Sequence, residues 1–306
     1  MKIIAPLFTV LLLLCFIQAN AQLGIGTATP EASAVLDVSS TSKGFLPPRM
    51  IEAHRNAIVN PEIGLQVYCI DCGYNGGELQ FYNGTTWVNI IGGVAKVSIW
   101  PANYVHCDPT NPTRFVEVTS VNGKIWMDRN LGASQAATTS TDVLSYGDLY
   151  QWGRRADGHQ CRNSSTTTTT SSIDAPAHGD FIYTPNSYTD WRDPHNGDLW
   201  QGVNGVNNPC PIGFRLPTNT ELENEKANWN TQNSSGAYAS ALKLPLAGYR
   251  YYQSGTVDGL GQNVYYWSSA YSNFHNKPIR LFVEPGSTST NFGIQAWGCS
   301  VRCIKN

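Results

Sequence analysis

The sequence is poor in charge and, beyond its first residues, in long apolar runs. Only 14% of its 306 residues are Asp, Glu, Lys or Arg, and the formal net charge is −2. Without a surplus of Lys and Arg, nothing draws the chain to nucleic acid or to an anionic membrane surface. No stretch after residue 17 approaches the ~20 apolar residues that a membrane span needs. We therefore expect no nucleic-acid partner and no membrane span.

The motifs of the common enzyme classes are also missing. The sequence contains no Gly-x-Ser-x-Gly nucleophile elbow, no readable carboxylate pair and no glycine-rich phosphate loop. His159, His178, His195 and His275 fall in apparent loops, and no catalytic triad can be named from them. We therefore expect a protein that is not an enzyme and has no catalytic residues.

Aromatic residues and turn formers, by contrast, are abundant. Aromatics make up 11% of the chain, with nine Trp and fifteen Tyr, and there are 28 Gly. Aromatic side chains favour strands, and Gly, Asn and Ser favour turns. This composition predicts many short strands joined by turns rather than a helical bundle.

The first 21 residues have the form of an export signal. Lys2 is followed by an apolar run over residues 3–17 and by small residues at Ala19 and Ala21. We predict cleavage after Ala21. Leu14, which precedes Cys15, does not fit a lipid-anchor motif. We therefore expect a secreted or cell-surface protein, in which disulfides are permitted.

Residues 22–92 form a small β-rich block. A short helix is predicted within 50–59, a strand at 65–69, and a hairpin at 79–88 around Asn83-Gly84, a pair that suits a type I′ turn. Such a block is marginal alone. A stalk or a homotrimer would supply the missing burial. Gly92-Gly93 marks its end, residues 93–111 read as a linker, and a second domain covers 112–306.

Seven of the eight cysteines follow the export signal, so at least one has no partner within the chain. Cys69 and Cys72 lie between two predicted strands. No second ligand pair follows for zinc, and no strand-to-helix context supports a redox motif. A local disulfide that braces the turn is the favoured interpretation.

Six motifs occur in order along residues 112–306: GKIWMDRNLG at 123–132, YGDLYQWGR at 146–154, CPIGFRLPT at 210–218, LPLAGYR at 244–250, YWSS at 266–269 and SVRC at 300–303. Through these motifs the region resembles the Fibrobacter succinogenes major paralogous domain of secreted bacterial proteins. The N-terminal block resembles blocks that precede such domains or tail-fibre-like domains in Bacteroidetes surface proteins.

A more distant similarity is to the formylglycine-generating (sulfatase-modifying) enzymes, through the Gly-Phe-Arg-Leu-Pro-Thr run and the final Val-Arg-Cys. It implies an α+β fold of the C-type lectin-like kind, with twisted antiparallel strands, few helices and long loops. It also raises an alternative in which Cys299 and Cys303 bind copper. In a strand these residues would lie roughly 13 Å apart. The competing interpretation is a Cys210–Cys303 disulfide.

Residues 190–208 are the candidate ligand site, because long loops of lectin-like folds carry calcium and sugars. Asp193, Asn196 and Asp198 offer oxygen ligands for calcium, the one metal we expect if any binds, and Trp191 and Trp200 could contact a ligand. The alternative is that the polar residues make turns and the two Trp fill the core.

The stretch after Cys210 begins a helix. Thr218 and Glu221 have the spacing of a capping box. Together these features predict a secreted, non-enzymatic module that binds an extracellular glycan or protein. The alternatives are a copper-dependent formylglycine-generating oxidase and a purely structural fibre or adhesin component.

Overall fold

The computed structural model describes residues 22–73, 77–93, 95–96, 98–186, 189–202 and 204–306. The predicted export signal lies outside these residues. The chain divides into two compact units, one ending at Pro47 and the other running from Pro48 to Asn306. In the described part, no helix has both the length and the apolar character needed to cross a membrane.

The first unit is a pair of short parallel strands, β1 (Leu23–Ile25) and β2 (Leu36–Val38). Two three-residue strands cannot enclose a core. Its large apolar side chains are accordingly 42–80% exposed: Leu23, Ile25, Val35, Leu36, Val38, Phe45 and Leu46. The unit therefore presents apolar surface.

The second unit begins with a four-stranded sheet. Its elements are β3 (Arg49–Met50), helix α1 (Glu52–Asn56), β4 (Gln66–Cys69), β5 (Glu78–Tyr82) and β6 (Trp87–Asn89), with the strands in that order across the sheet. The predicted β5–β6 hairpin is present, but its turn differs from type I′. Tyr82 pairs with Trp87, which leaves four loop residues, and only Gly84 of the Asn83-Gly84 pair has positive φ.

In the described part of the remaining chain there are thirteen strands, two α-helices, one 3-10 helix (Val143–Ser145) and long irregular segments. The elements are β7 (Glu117–Thr119), β8 (Ile125–Met127), β9 (Tyr150–Gln151), β10 (Thr166–Thr167), β11 (Phe181–Ile182), β12 (Phe214–Arg215), α2 (Asn219–Ala227), α3 (Ser234–Ala239), β13 (Ala247–Arg250), β14 (Val257–Leu260), β15 (Val264–Ser272), β16 (Lys277–Val283), β17 (Thr288–Phe292), β18 (Gly298–Cys299) and β19 (Ile304–Lys305).

These strands form two main sheets. One is antiparallel with the order β12-β19-β8-β7. The other has the order β17-β16-β15-β13-β18-β9, with β14 also paired to β13. β10 and β11 make a separate two-stranded parallel pair. The prediction of a strand-rich chain with few helices and long loops is confirmed.

In two stretches of the later chain the strands are short. Within residues 145–152, Ser145 ends a 3-10 helix and the only strand is β9; between them Gly147 has a positive φ of 66° and lies close to the Leu131 carbonyl. The final strand is interrupted between β18 and β19. There Arg302 is buried and its guanidinium donates to Asn130 Oδ1 and to the carbonyls of Met127 and Leu242.

The segment expected to be a linker, 93–111, belongs to the second unit. Trp100 is 6% exposed and lies in the main apolar core with Phe115 and Trp152. Cys107 is bonded to Cys161. The sheet of residues 49–89 and the later chain thus belong to one compact unit, which begins at Pro48.

Candidate functional site

The two tryptophans of the 190–208 loop are core residues. Trp191 and Trp200 are each 1% exposed. Their indole N–H groups donate to the carbonyls of Trp152, at 2.7 Å, and Asn207, at 2.9 Å. A ring enclosed in this way offers no face to a ligand, so the geometry fits the core-filling interpretation.

The polar residues of the same loop are at the surface. Asp193 and Asp198 are exposed, and Asn196 is half-buried. Asn196 Oδ1 accepts the Asp198 backbone N–H at 3.0 Å, and its amide donates to Asp174 at 3.1 Å. Asn196 therefore serves a local turn. Neither aspartate joins a three-ligand group of His, Cys, Asp or Glu among the described residues.

The three-ligand group that does occur in the described chain is Cys69, Asp71 and Cys72. Its two sulfur atoms are bonded to each other. A disulfide has no thiolate to offer a metal, so this group braces the turn after β4 instead.

Six of the seven cysteines expected in the exported chain are in disulfides. The structure joins Cys69 to Cys72 and Cys210 to Cys303, as the sequence suggested, and Cys107 to Cys161, which no spacing pattern indicated. The odd cysteine is Cys299, which is fully buried.

This arrangement argues against the copper alternative. The Cys303 sulfur is committed to Cys210. Burial raises the pKa of Cys299 to about 12, although the Arg280 guanidinium 3.8 Å away opposes that rise. The copper alternative requires two thiolates at one site. Cys299 offers a single thiol, which is buried and protonated.

The corner before α2 is a capping site. The Thr218 hydroxyl accepts the Glu221 N–H at 3.2 Å, and Glu221 accepts the Thr218 N–H at 2.8 Å. Arg215 also binds both Glu221 carboxylate oxygens, at 2.7 and 2.8 Å. The predicted capping box is confirmed.

A cavity of about 320 Å³ lies between α1 and residues 98–106. The sequence does not predict this cavity, because residues 93–111 have the composition of a linker. The available signal was aromatic density: Trp100, Tyr104 and His106 fall within seven residues. A linker without packing partners has no need of such side chains.

Comparison with known proteins bears on the N-terminal part. No curated protein and no solved structure matches the chain. Residues 24–103, well under half of the chain, match the family model described as a phage tail like trimerisation region.

Proposed function

We propose that this protein is a structural component of an extracellular fibre or adhesin, assembled as a homotrimer through its N-terminal region. The observation that carries the proposal is the match of residues 24–103 to a trimerisation region. The apolar surface of the first unit supports it, since a second and third copy would cover side chains that one copy leaves in water.

The rest of the chain would be the part that the trimer displays. Its resemblance to secreted bacterial domains motivates a lectin-like fold and a role in binding a glycan or protein rather than in catalysis. The three disulfides of the whole chain are in keeping with export. No cofactor is required by this role.

The test is the mass of residues 22–306 in solution, with disulfides intact, by light scattering and native mass spectrometry. The expected mass is that of three chains. A monomer at every concentration tested would overturn the proposal.

A substitution locates the assembling surface. Val35 is 80% exposed, and Val35→Asp would place a charge at the surface through which each copy contacts the other two. Burying a valine is worth about 1.5 kcal/mol or more, and a buried unpaired carboxylate costs still more, so the trimer should dissociate. Val121, which is 73% exposed on the β7–β8 turn, provides the matched control. Val121→Asp should remain trimeric, and equal mass profiles for the two variants would place the contact elsewhere.

A further inference from the structure

We propose that the cavity between helix α1 and residues 98–106 is a binding site for a neutral saccharide of one or two rings. Its volume of about 320 Å³ is at the lower end of the range for small-molecule sites. Its walls are mixed: Ile51 and Pro101 are apolar, while Glu52, Asp71 and Asn103 are polar. The cavity lies almost wholly within the matched residues 24–103, so the inference gives this region a ligand site in addition to its proposed part in assembly, and it does not require the trimer.

One wall of the cavity is aromatic. The rings of Trp100 and Tyr104 lie 4.6 Å apart at 36°, and His106 packs against both, at 5.3 and 4.8 Å. The Tyr104 hydroxyl is hydrogen-bonded to the Tyr150 hydroxyl at 2.9 Å, and this bond holds the Tyr104 ring in place. Trp100 is 6% exposed and supports this wall from the core, so the half-buried Tyr104 is the ring that can meet the C–H face of a pyranose, and its fixed position lowers the cost of ordering it.

Hydrogen bonds from the backbone hold the two carboxylates that line the cavity. Glu52 accepts the Ser98 N–H at 2.5 Å, and Asp71 accepts the Glu52 N–H at 2.7 Å. Each carboxylate oxygen can accept more than one hydrogen bond, so both groups can also receive ligand hydroxyls. Fixed acceptors beside aromatic rings provide orientation as well as contact area.

The charges around the cavity favour a neutral ligand. Glu52 already pairs with Arg55 at 3.0 Å, and Asp71 lies 3.7 Å from His106. A ligand ammonium would therefore compete with basic groups of the protein. The described residues that line the cavity include neither Lys nor Arg, so an anionic sugar or a phosphate would lack a partner.

The test uses residues 22–306 and a panel of methyl glycosides: those of glucose, galactose, mannose and N-acetylglucosamine. Saturation-transfer NMR should detect at least one glycoside, with a titration that saturates. The absence of transfer to every glycoside would overturn the proposal. Because the oligomeric mass is measured separately, a failed sugar titration and a failed trimer are distinguishable.

Two variants assign the binding to this cavity. Ala53 is exposed on α1 and lines the cavity, so Ala53→Phe should fill it and abolish transfer. Ala227, exposed at the end of α2, gives the matched control Ala227→Phe, which should bind normally.

A milder change removes one polar contact. Asn103 has a positive φ of 62°, which glycine adopts without strain, so Asn103→Gly keeps the backbone and deletes the amide. Loss of one ligand hydrogen bond should weaken binding roughly tenfold. Binding unchanged in both Ala53→Phe and Asn103→Gly would overturn the assignment, and if Ala53→Phe fails to fold, Asn103→Gly decides alone.

Discussion

Glu221 shows how one side chain can satisfy a helix start and a neighbouring loop together. Its carboxylate receives the Thr218 N–H and the Arg215 guanidinium. Burial by itself would raise the pKa of Glu221, but the hydrogen bonds from Arg215 and Thr218 lower it below its usual value. The ionised form is therefore the one that the corner holds.

Thr218→Ala should destabilise the second unit by about 1 kcal/mol, because the Glu221 N–H loses its acceptor. Thr218→Ser retains a hydroxyl at the same position and should recover most of the loss. Urea unfolding monitored by tryptophan fluorescence measures both. Equal losses in the two variants would show that the threonine methyl group, rather than the cap, supplies the stability.

Among the elements, β12 and β19 are joined twice. They pair through Phe214 and Lys305 and through Arg215 and Ile304, and the nearby Cys210–Cys303 bond closes the same junction covalently. The last strand is thus tied to the segment that leads into α2.

Replacing Cys210 and Cys303 together with alanine should cost about 2–5 kcal/mol, because their bond closes a loop of 93 residues in the unfolded chain. The matched control is the Cys69 and Cys72 pair, whose separation is 3 residues. Its removal should cost less, since loop-closure entropy rises with loop length. Denaturant titration under oxidising conditions compares them, and a larger loss in the control would refute the entropic explanation.

Elements that depend on nearby residues could be predicted from the sequence, and those that depend on distant contacts could not. The β5–β6 hairpin and the Thr218 cap follow from residues within a few positions. The break before β19 depends on Arg302 reaching Leu242, 60 residues away. Loop polarity likewise suggested a ligand site at 190–208, but the burial of its tryptophans is decided by packing partners elsewhere in the chain.

For the molecule as a whole, buried ionisable groups set how stability responds to pH. Burial raises the pKa of Asp148 from 3.8 to about 7, although Arg162 partly opposes this. Burial lowers the pKa of His159 from 6.5 to about 4, helped by Arg154 and opposed by Asp157. The two groups act in opposite directions over an overlapping range.

The signs follow from which state binds the proton. Folded Asp148 keeps a proton that the unfolded chain releases above pH 3.8, so its contribution is complete below that pH and is lost as pH rises towards about 7. Folded His159 stays neutral where the unfolded chain is protonated, so its contribution is complete above pH 6.5 and is lost as pH falls towards about 4. Between about pH 4 and about pH 7, the contributions of Asp148 and His159 to the pH dependence of stability therefore partly cancel in the wild-type protein.

Asp148→Asn removes the contribution of Asp148 to the pH dependence of the free energy of unfolding. The opposite contribution of His159 should then become visible. The stability of Asp148→Asn relative to wild type should rise as pH increases from about 4 to about 7, and the variant alone should lose stability steeply as pH falls below 6.5. His159→Gln should show the reverse, a stability that declines as pH rises; glutamine can still accept the Gln151 N–H that His159 Nε2 accepts at 3.0 Å. Urea unfolding across pH 4–8 measures both profiles. If the Asp148→Asn and wild-type profiles ran parallel, Asp148 would have to be ionised in the folded protein throughout that range, and its burial would not govern its charge.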